Sequence, residues 1–303
     1  MKPPTFEHFK SHLNKWILSL VTPSAYEPMP GWVDNYNGAT GIIAGAVSGV
    51  IRILHCDPEK RANVAPVDFA VNALIACAWD VATRKNNRKV VYNYTSSSEA
   101  PITWKTILDI VQKHNDKYPL STSLWYPSLR ITKYKFIYKF CKLFLHQVPA
   151  FVIDLVAQSI GRKPMLTKLY QKVHRMCDLL EYVGINEWNV KSDNAQDLWN
   201  KLDPNDRNVF RFTMQGFDWD EYMSNYVKGV RIYVFKDSMK TLDASRRRYK
   251  RLFWMDRIFK VAFAVSMYYA LRKIWQMRRT YKPLNKILSK EMLLYTTLIK
   301  IYL

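Results

Sequence analysis

Four of the chain's nine glycines fall inside one run of thirteen residues, NGATGIIAGAVSG (37–49). No other stretch constrains the fold as much. Such a run either cradles a phosphate between a strand and a helix, or it lets a loop enter a helix of small residues. A dinucleotide loop needs a buried strand running straight into the glycines and a helix N-terminus facing the pyrophosphate. The preceding residues here are EPMPGWVDNYN, whose prolines, glycine, aspartate and asparagines spell turns. Position 47, where the dehydrogenase pattern wants a glycine, is Val47. The run is therefore expected to be a loop entering a helix over roughly Thr40 to Val50.

The 303 residues suffice for one large domain or two ordinary ones, and 49% apolar with 14% aromatic residues excludes global disorder. Ten tryptophans and nineteen tyrosines suit large apolar contacts or a membrane interface. The net charge of +21 is uneven: from Lys228 onward there are 19 Lys and Arg against 4 Asp and Glu. That balance points to anionic lipid, nucleic acid or phosphate-bearing ligands. Cys56, Cys77, Cys141 and Cys177 are far apart, which argues against a disulfide framework and for a reducing compartment. His8 and His12 alone have ligand-like spacing and lack a third ligand, so no metal is expected. The opening residues MKPPTFEHFK are too polar for a secretory signal, and the sequon at Asn93 is read as unused.

Residues 63–80 predict a short extended piece and then a helix from about Pro66, burying Phe69, Val71, Leu74, Ile75 and Ala78. Asp68 in its first turn suits the helix dipole. KVVYNYTS (89–96) reads as a buried strand, and APITWKTILDIVQKH as a helix that starts near Pro101 and Thr103. This alternation is α/β organisation. From about residue 130 the pattern turns helical. The stretch YKFIYKFCKLFLHQVPAFVIDLVAQSIG is apolar but interrupted by Lys135, Lys139, Lys142 and Asp154, which predicts a buried or interfacial hairpin turning near Pro149. In the tail, the uncharged run Val261–Leu271 lies between basic flanks. As a helix it reaches only about half of a ~30 Å bilayer core. An interfacial or re-entrant anchor, a short span with snorkelling Lys and Arg, and a soluble buried helix all stay open. Aromatic residues near RRRYKR sit in apolar helices and not in a stacking pattern, so no nucleic-acid partner is expected.

The blocks EPMPGWVDNYNGATGIIAGAVSGVIR (27–52), ANVAPVDFAVNALIACAW (62–79) and VVYNYTSSSEAPITW (90–104) resemble the alcohol-forming fatty acyl-CoA reductases, particularly the insect type. HQVPAFVIDLVAQSIGRKPMLTKLYQKV (146–173) and FDWDEYMSNYVKGVRIYVFKD (217–237) resemble that family's C-terminal domain. The resemblance runs from about Leu20 to about residue 275, with the blocks in the family's order. It implies NADPH-dependent reduction of a long-chain acyl-CoA to an aldehyde and then a primary alcohol. It also implies a Tyr-x-x-x-Lys pair whose lysine lowers the tyrosine's pKa. On this resemblance the family's cofactor loop lies upstream of NGATGIIAGAVSG, which matches a substrate-side loop and helix instead. The pair Tyr269–Lys273 is read as chance spacing, and of the family's Arg-Pro-Ser only Ser19 is matched, by Ile17-Leu18-Ser19.

These matches imply an α/β fold: the C-terminal remnant of a Rossmann-like short-chain dehydrogenase domain, followed by a mostly helical domain. The expected boundaries are an atypical start at 1–19, a substrate-side Rossmann-like region at 20–128, the helical reductase C-terminal domain at 129–240 and a basic membrane-associated tail at 241–303. No catalytic or cofactor-binding residue is assigned within the chain, which is expected to be an inactive fragment of a reductase. The alternative is a non-catalytic relative that binds acyl-CoA or membrane. By position in the family, Pro30, Gly31, Trp32 and Asn35 lie near the acyl entrance, with Trp32 equally readable as a core plug. Asp68 matches an acidic family position, with helix capping the preferred role. Expected partners are long-chain acyl-CoA, a membrane surface through the basic tail, and the chain itself or a full-length reductase. The expected location is the cytosolic face of the peroxisome or endoplasmic reticulum.

Overall fold

The structure is a computed structural model that describes residues 17–18, 20–84 and 90–280. Ser19 and the His8–His12 pair lie outside the described residues. The chain divides into two units, residues 1–249 and 250–303.

The first unit is α/β, with short parallel strands among many helices. Strands β1 (Ile17–Leu18) and β2 (Leu20–Thr22) are followed by helix α1 (Ala39–Val47), β3 (Ile53–His55), β4 (Val64–Pro66) and α2 (Val67–Thr83). Then come β5 (Asn93–Tyr94), α3 (Trp104–Lys117) and β6 (Arg130–Thr132). Three parallel pairs form: β1 with β5, β2 with β4 and β3 with β6. In register, Leu20 faces Val64, Thr22 faces Pro66 and Ile53 faces Arg130. The expected strand at 89–96 is ordered only as Asn93–Tyr94. Helix α3 starts as its sequence predicts: the Thr103 side chain accepts the Thr106 amide, and Ile107 and Val111 point into the core.

Helix α2 inverts its expected face. Ala70, Ala73, Ala76 and Cys77 are buried with Phe69, while Val71, Ile75 and Ala78 are exposed and Leu74 is half-buried. Small side chains let the helix axis approach its neighbours closely, so the alanine stripe wins over the larger aliphatic one. Further along the helix, buried Asp80 accepts bonds from Tyr92, Arg84 and, at 3.3 Å, Lys201. All four cysteines are free and buried.

The chain continues as α4 (Lys135–Lys142), a π-helical turn (Leu143–Gln147), α5 (Val148–Ser159), α6 (Leu166–Ile185), α7 (Asp193–Lys201), α8 (Pro204–Val209) and α9 (Trp219–Gly229). The hairpin does not turn at Pro149. That proline occupies the first turn of α5, where its missing N–H costs little, directly after the wide π turn. The chain reverses instead through Gly161 and Pro164, and Asp154 fastens the reversal. Its carboxylate accepts the amides of Met165, Leu166 and Thr167 at 2.8–3.0 Å, the free N–H groups at the start of α6. Those bonds hold its pKa down to about 2. His146, in the π turn, accepts the Arg52 amide on Nε2 at 3.0 Å and meets His174 at 3.2 Å through Nδ1. Burial first, then the nearby Arg52 charge, lowers the His146 pKa to about 3. Burial likewise takes His174 to about 4.

After α9 a second π turn, Val230–Val234, buries Arg231 completely. Its guanidinium pairs with Asp237 at 3.1 Å and donates to Pro119 O, Ser238 O and Thr241 Oγ1. The second unit begins within α10 (Leu242–Thr280). There Val261, Val265, Tyr268 and Tyr269 are exposed.

Candidate functional site

The loop that follows β2 is built around one carboxylate. Asp68 accepts the amides of Ala25, Tyr26 and Glu27 at 2.9, 2.8 and 3.1 Å. The helix-capping role expected of Asp68 is therefore replaced by a grip on a loop more than forty residues away in sequence. Three converging N–H groups satisfy a buried charge that would otherwise be costly. Ser24 closes the loop: its carbonyl accepts the Gly31 amide at 2.9 Å, and its hydroxyl donates to Met29 O and accepts the Trp32 amide.

Helix α9 lies against this loop. At Gly31 the φ is +78°, and a Cβ would come within 2.1 Å of the Asn225 carbonyl oxygen. At Gly229 a Cβ would come within 1.8 Å of the Gly31 oxygen. The seam is thus backbone against backbone. Two buried tyrosines of α9 point back under it. The Tyr222 hydroxyl donates to Pro23 O at 2.7 Å and lies 2.7 Å from Thr22 Oγ1. Tyr226 shares a bond of 3.0 Å with Thr40 at the start of α1. Burial drives both phenol pKa values up, so both stay protonated.

Beside these hydroxyls opens an apolar cleft of about 60 Å³ free volume. It lies among β2, β3, β4, β6, α1, α3, α6 and α9, and Leu20, Ile42, Ile107, Val183, Met223 and Tyr226 are among its walls. Crevices near the ends of parallel strands are the usual ligand sites of α/β sheets. The described lining holds no carboxylate or lysine. Cys56 lines it as a thiol whose pKa burial pushes up to about 12, too high for a nucleophile. His55 lines it too, with its ring between the Lys133 carbonyl at 3.0 Å and Glu181 at 3.1 Å and stacked on Tyr138. The lining is thus mostly apolar, with His55, Cys56 and Thr22 as its polar members. A separate depression of about 110 Å³ near Asp109, Gln112 and Asn115 lies away from the tyrosine hydroxyls.

The expected entrance residues share one loop but do not line this cleft. Pro30 and Asn35 are exposed, Gly31 is buried against α9 and Trp32 is half-buried. Asn35 bonds Asp34 at 2.7 Å and accepts the Asn37 amide at 2.9 Å. Tyr222, Tyr226 and Thr22 went unmarked in the sequence; the i, i+4 tyrosines of DEYMSNYV were the available signal.

The glycine run behaves as its sequence predicts, a loop entering a small-residue helix. Its open faces are filled by protein. A Cβ on Gly41 would meet Met176 Sδ at 2.3 Å, and one on Gly49 would meet the Trp125 carbonyl at 2.2 Å. No room is left there for a pyrophosphate, so the run does not fit a dinucleotide. Tyr269 and Lys273 lie exposed on α10. Among the described residues no cluster could hold a metal.

Two family models, both described as male sterility protein, match the chain: an NAD-binding model over residues 14–74 and a second over 145–237. The chain is 36% identical over 77% of its length to fatty acyl-CoA reductase wat of Drosophila melanogaster, covering 45% of that protein. It is 33% identical over 86% of its length to fatty acyl-CoA reductase 2 of Homo sapiens, covering 51%. To fatty acyl-CoA reductase 1 of Mus musculus it is 32% identical over 77%, covering 45%. The chain spans about half the length of these curated relatives. On these matches the chain belongs to the fatty acyl-CoA reductase family.

Proposed function

We propose that this chain is the substrate-side part of an alcohol-forming fatty acyl-CoA reductase, and that it holds the acyl chain of a long-chain acyl-CoA in the apolar cleft beside Tyr222 and Tyr226. The observation that carries this reading is the cleft itself, mostly apolar in its lining and bordered by Tyr226, whose phenol burial keeps protonated. Each methylene moved out of water contributes about 0.8 kcal/mol, so affinity for such a ligand is mainly hydrophobic. At about 60 Å³ the cleft must widen to admit a long chain, by displacing side chains such as Leu180 and Val183. By family likeness, loop 23–37 with Pro30, Gly31, Trp32 and Asn35 would stand near the acyl entrance.

In the full reaction that the family implies, a bound NADPH would be the source of hydride. The filled glycine run offers it no cradle. The remnant of a Rossmann-like domain is the reading of β1, β2, β4 and α2 that the NAD-binding family match supports. The basic tail would hold the protein on the cytosolic face of a peroxisomal or endoplasmic reticulum membrane. Alone, the chain is expected to bind acyl-CoA and not to reduce it.

The filled glycine run favours a second reading, a non-catalytic relative that binds acyl-CoA, by itself or beside a full-length reductase. One pair of measurements tests both. Titration of the purified chain with long-chain acyl-CoA should give micromolar binding that Met223→Glu abolishes. An assay with NADPH and acyl-CoA should show no oxidation of the cofactor. Absence of acyl-CoA binding removes both readings, and NADPH consumption by the chain alone removes the inactive one.

A further inference from the structure

We propose that the outer face of the α4–α5 arm is a membrane-docking surface that lies in the interface of an anionic lipid bilayer. The arm, Lys135–Ser159, is 25 residues long and apolar enough by composition to cross a membrane. Its inward side is the polar one. Tyr138, Cys141, His146, Ala150 and Asp154 are buried, with His146 and Asp154 bonded to backbone amides of other elements. These bonds hold the arm flat against the rest of its unit. Its outward side is apolar: Phe136, Phe151, Val152, Ile153, Val156 and Ile160 are each about half exposed or more. A contiguous apolar face of this kind on a folded body marks an interaction site.

Charge selects the occupant. Residues 131–175 contain nine Lys and Arg, of which Lys135 and Lys142 pair with Glu181 and Asp178 of α6, and their one acidic residue, Asp154, is turned inward onto the α6 amides. Exposed Lys133 and Lys139 stand at one end of the apolar face, and exposed Arg162, Lys163 and Lys168 at the other. A second copy of the chain would bring this basic border against itself. An anionic bilayer complements it while taking up the apolar side chains, the arrangement of an interfacial helix. The proposal rests neither on the acyl-CoA reading nor on the basic tail.

The test uses the whole chain with Phe151→Cys carrying an environment-sensitive fluorophore, since the four native cysteines are buried. Vesicles are phosphatidylcholine alone or with about a third phosphatidylserine. On the anionic vesicles the label should shift to the blue and be quenched by brominated acyl chains. Phe151→Glu/Val152→Glu should weaken partitioning by about tenfold. Lys139→Glu/Lys163→Glu, which leaves the apolar face intact, should reduce the blue shift of the Phe151→Cys label on the anionic vesicles, a readout of the arm and not of the basic tail. Circular dichroism and the thermal unfolding midpoint should be unchanged in both variants. A label that stays in water while the chain binds vesicles overturns the proposal, as does an absence of vesicle binding. A dimer in solution that Phe151→Glu splits into monomers assigns the face to a second copy instead.

Discussion

Helix α9 and the α4–α5 arm bury their surfaces in opposite senses. On α9 the large side chains Tyr222, Met223, Tyr226 and Val227 go inward, and Gly229 lets the backbone touch the loop at Gly31. On the arm the inward residues are few and partly polar, and the large apolar ones face outward. The first surface is shaped by the interior it must fill. The second is shaped by whatever lies outside. Amphipathicity alone therefore does not tell which face of a helix meets the protein; the hydrogen-bond partners of its polar residues do.

The most severe test of this contrast is at the α9 seam. Gly229→Ala should cost about 3 kcal/mol or more, because the added Cβ meets backbone and no flexible side chain. Gly216→Ala, at a φ of +68° but with open space around it, should cost about 1 kcal/mol. Similar losses at the two glycines in thermal unfolding would end the claim of a backbone-to-backbone seam. Of the same size, Asp237→Ala should cost about 3 kcal/mol or more by leaving the buried Arg231 guanidinium without its carboxylate.

The polar underside of the arm predicts a pH signature. His146 and His174 have folded pKa values of about 3 and 4 against an ordinary 6.5. Between those values the unfolded chain binds protons that the folded one refuses, so stability is full above pH 6.5 and is lost as pH falls toward 4. Asp154, held at about 2, adds a further loss below pH 4. The urea midpoint should fall across the first window, and His174→Gln should flatten that fall. A midpoint constant from pH 7 to 4.5 would contradict the buried histidine pair.

Tyr226→Phe should cost about 1–2 kcal/mol by stranding the buried Thr40 hydroxyl. At the small end, Phe151→Ser on the outer face of the arm should change stability by about 0.5 kcal/mol or less. A large loss there would mean that the arm's outer face is covered within the folded chain.

Local chemistry made part of this molecule legible. Prolines and asparagines before Gly38 excluded an incoming strand, and Thr103 announced the start of α3, because these signals act within a few residues. Periodicity misled at α2. Val71 and Ile75 repeat as a buried stripe should, yet the close approach of neighbouring elements selected Ala70, Ala73 and Ala76. Pro149 misled for a related reason, since a π turn absorbed what would otherwise break the helix. The Asp68 grip and the Tyr222 and Tyr226 contacts join residues 40 to 200 positions apart, and nothing in a local pattern encodes such a pairing. Pro30, Gly31, Trp32 and Asn35 were singled out by family likeness alone, whereas the cleft comes from the packing of eight elements, none of them in that loop.

The π turn at Leu143–Gln147 has a consequence for how this arm tolerates insertions and deletions. The buried positions 138, 141, 146, 150 and 154 are spaced by three, five, four and four, and the five falls across that turn. One extra residue thus keeps the two halves of the arm in phase with a single underside. Deleting any residue between 143 and 147 would rotate everything downstream by about 100°. His146 and Asp154 would swing off their amides and Val152 or Ile153 would swing in. A relative that aligns with a one-residue gap here must carry its inward polar pair one position earlier or do without it.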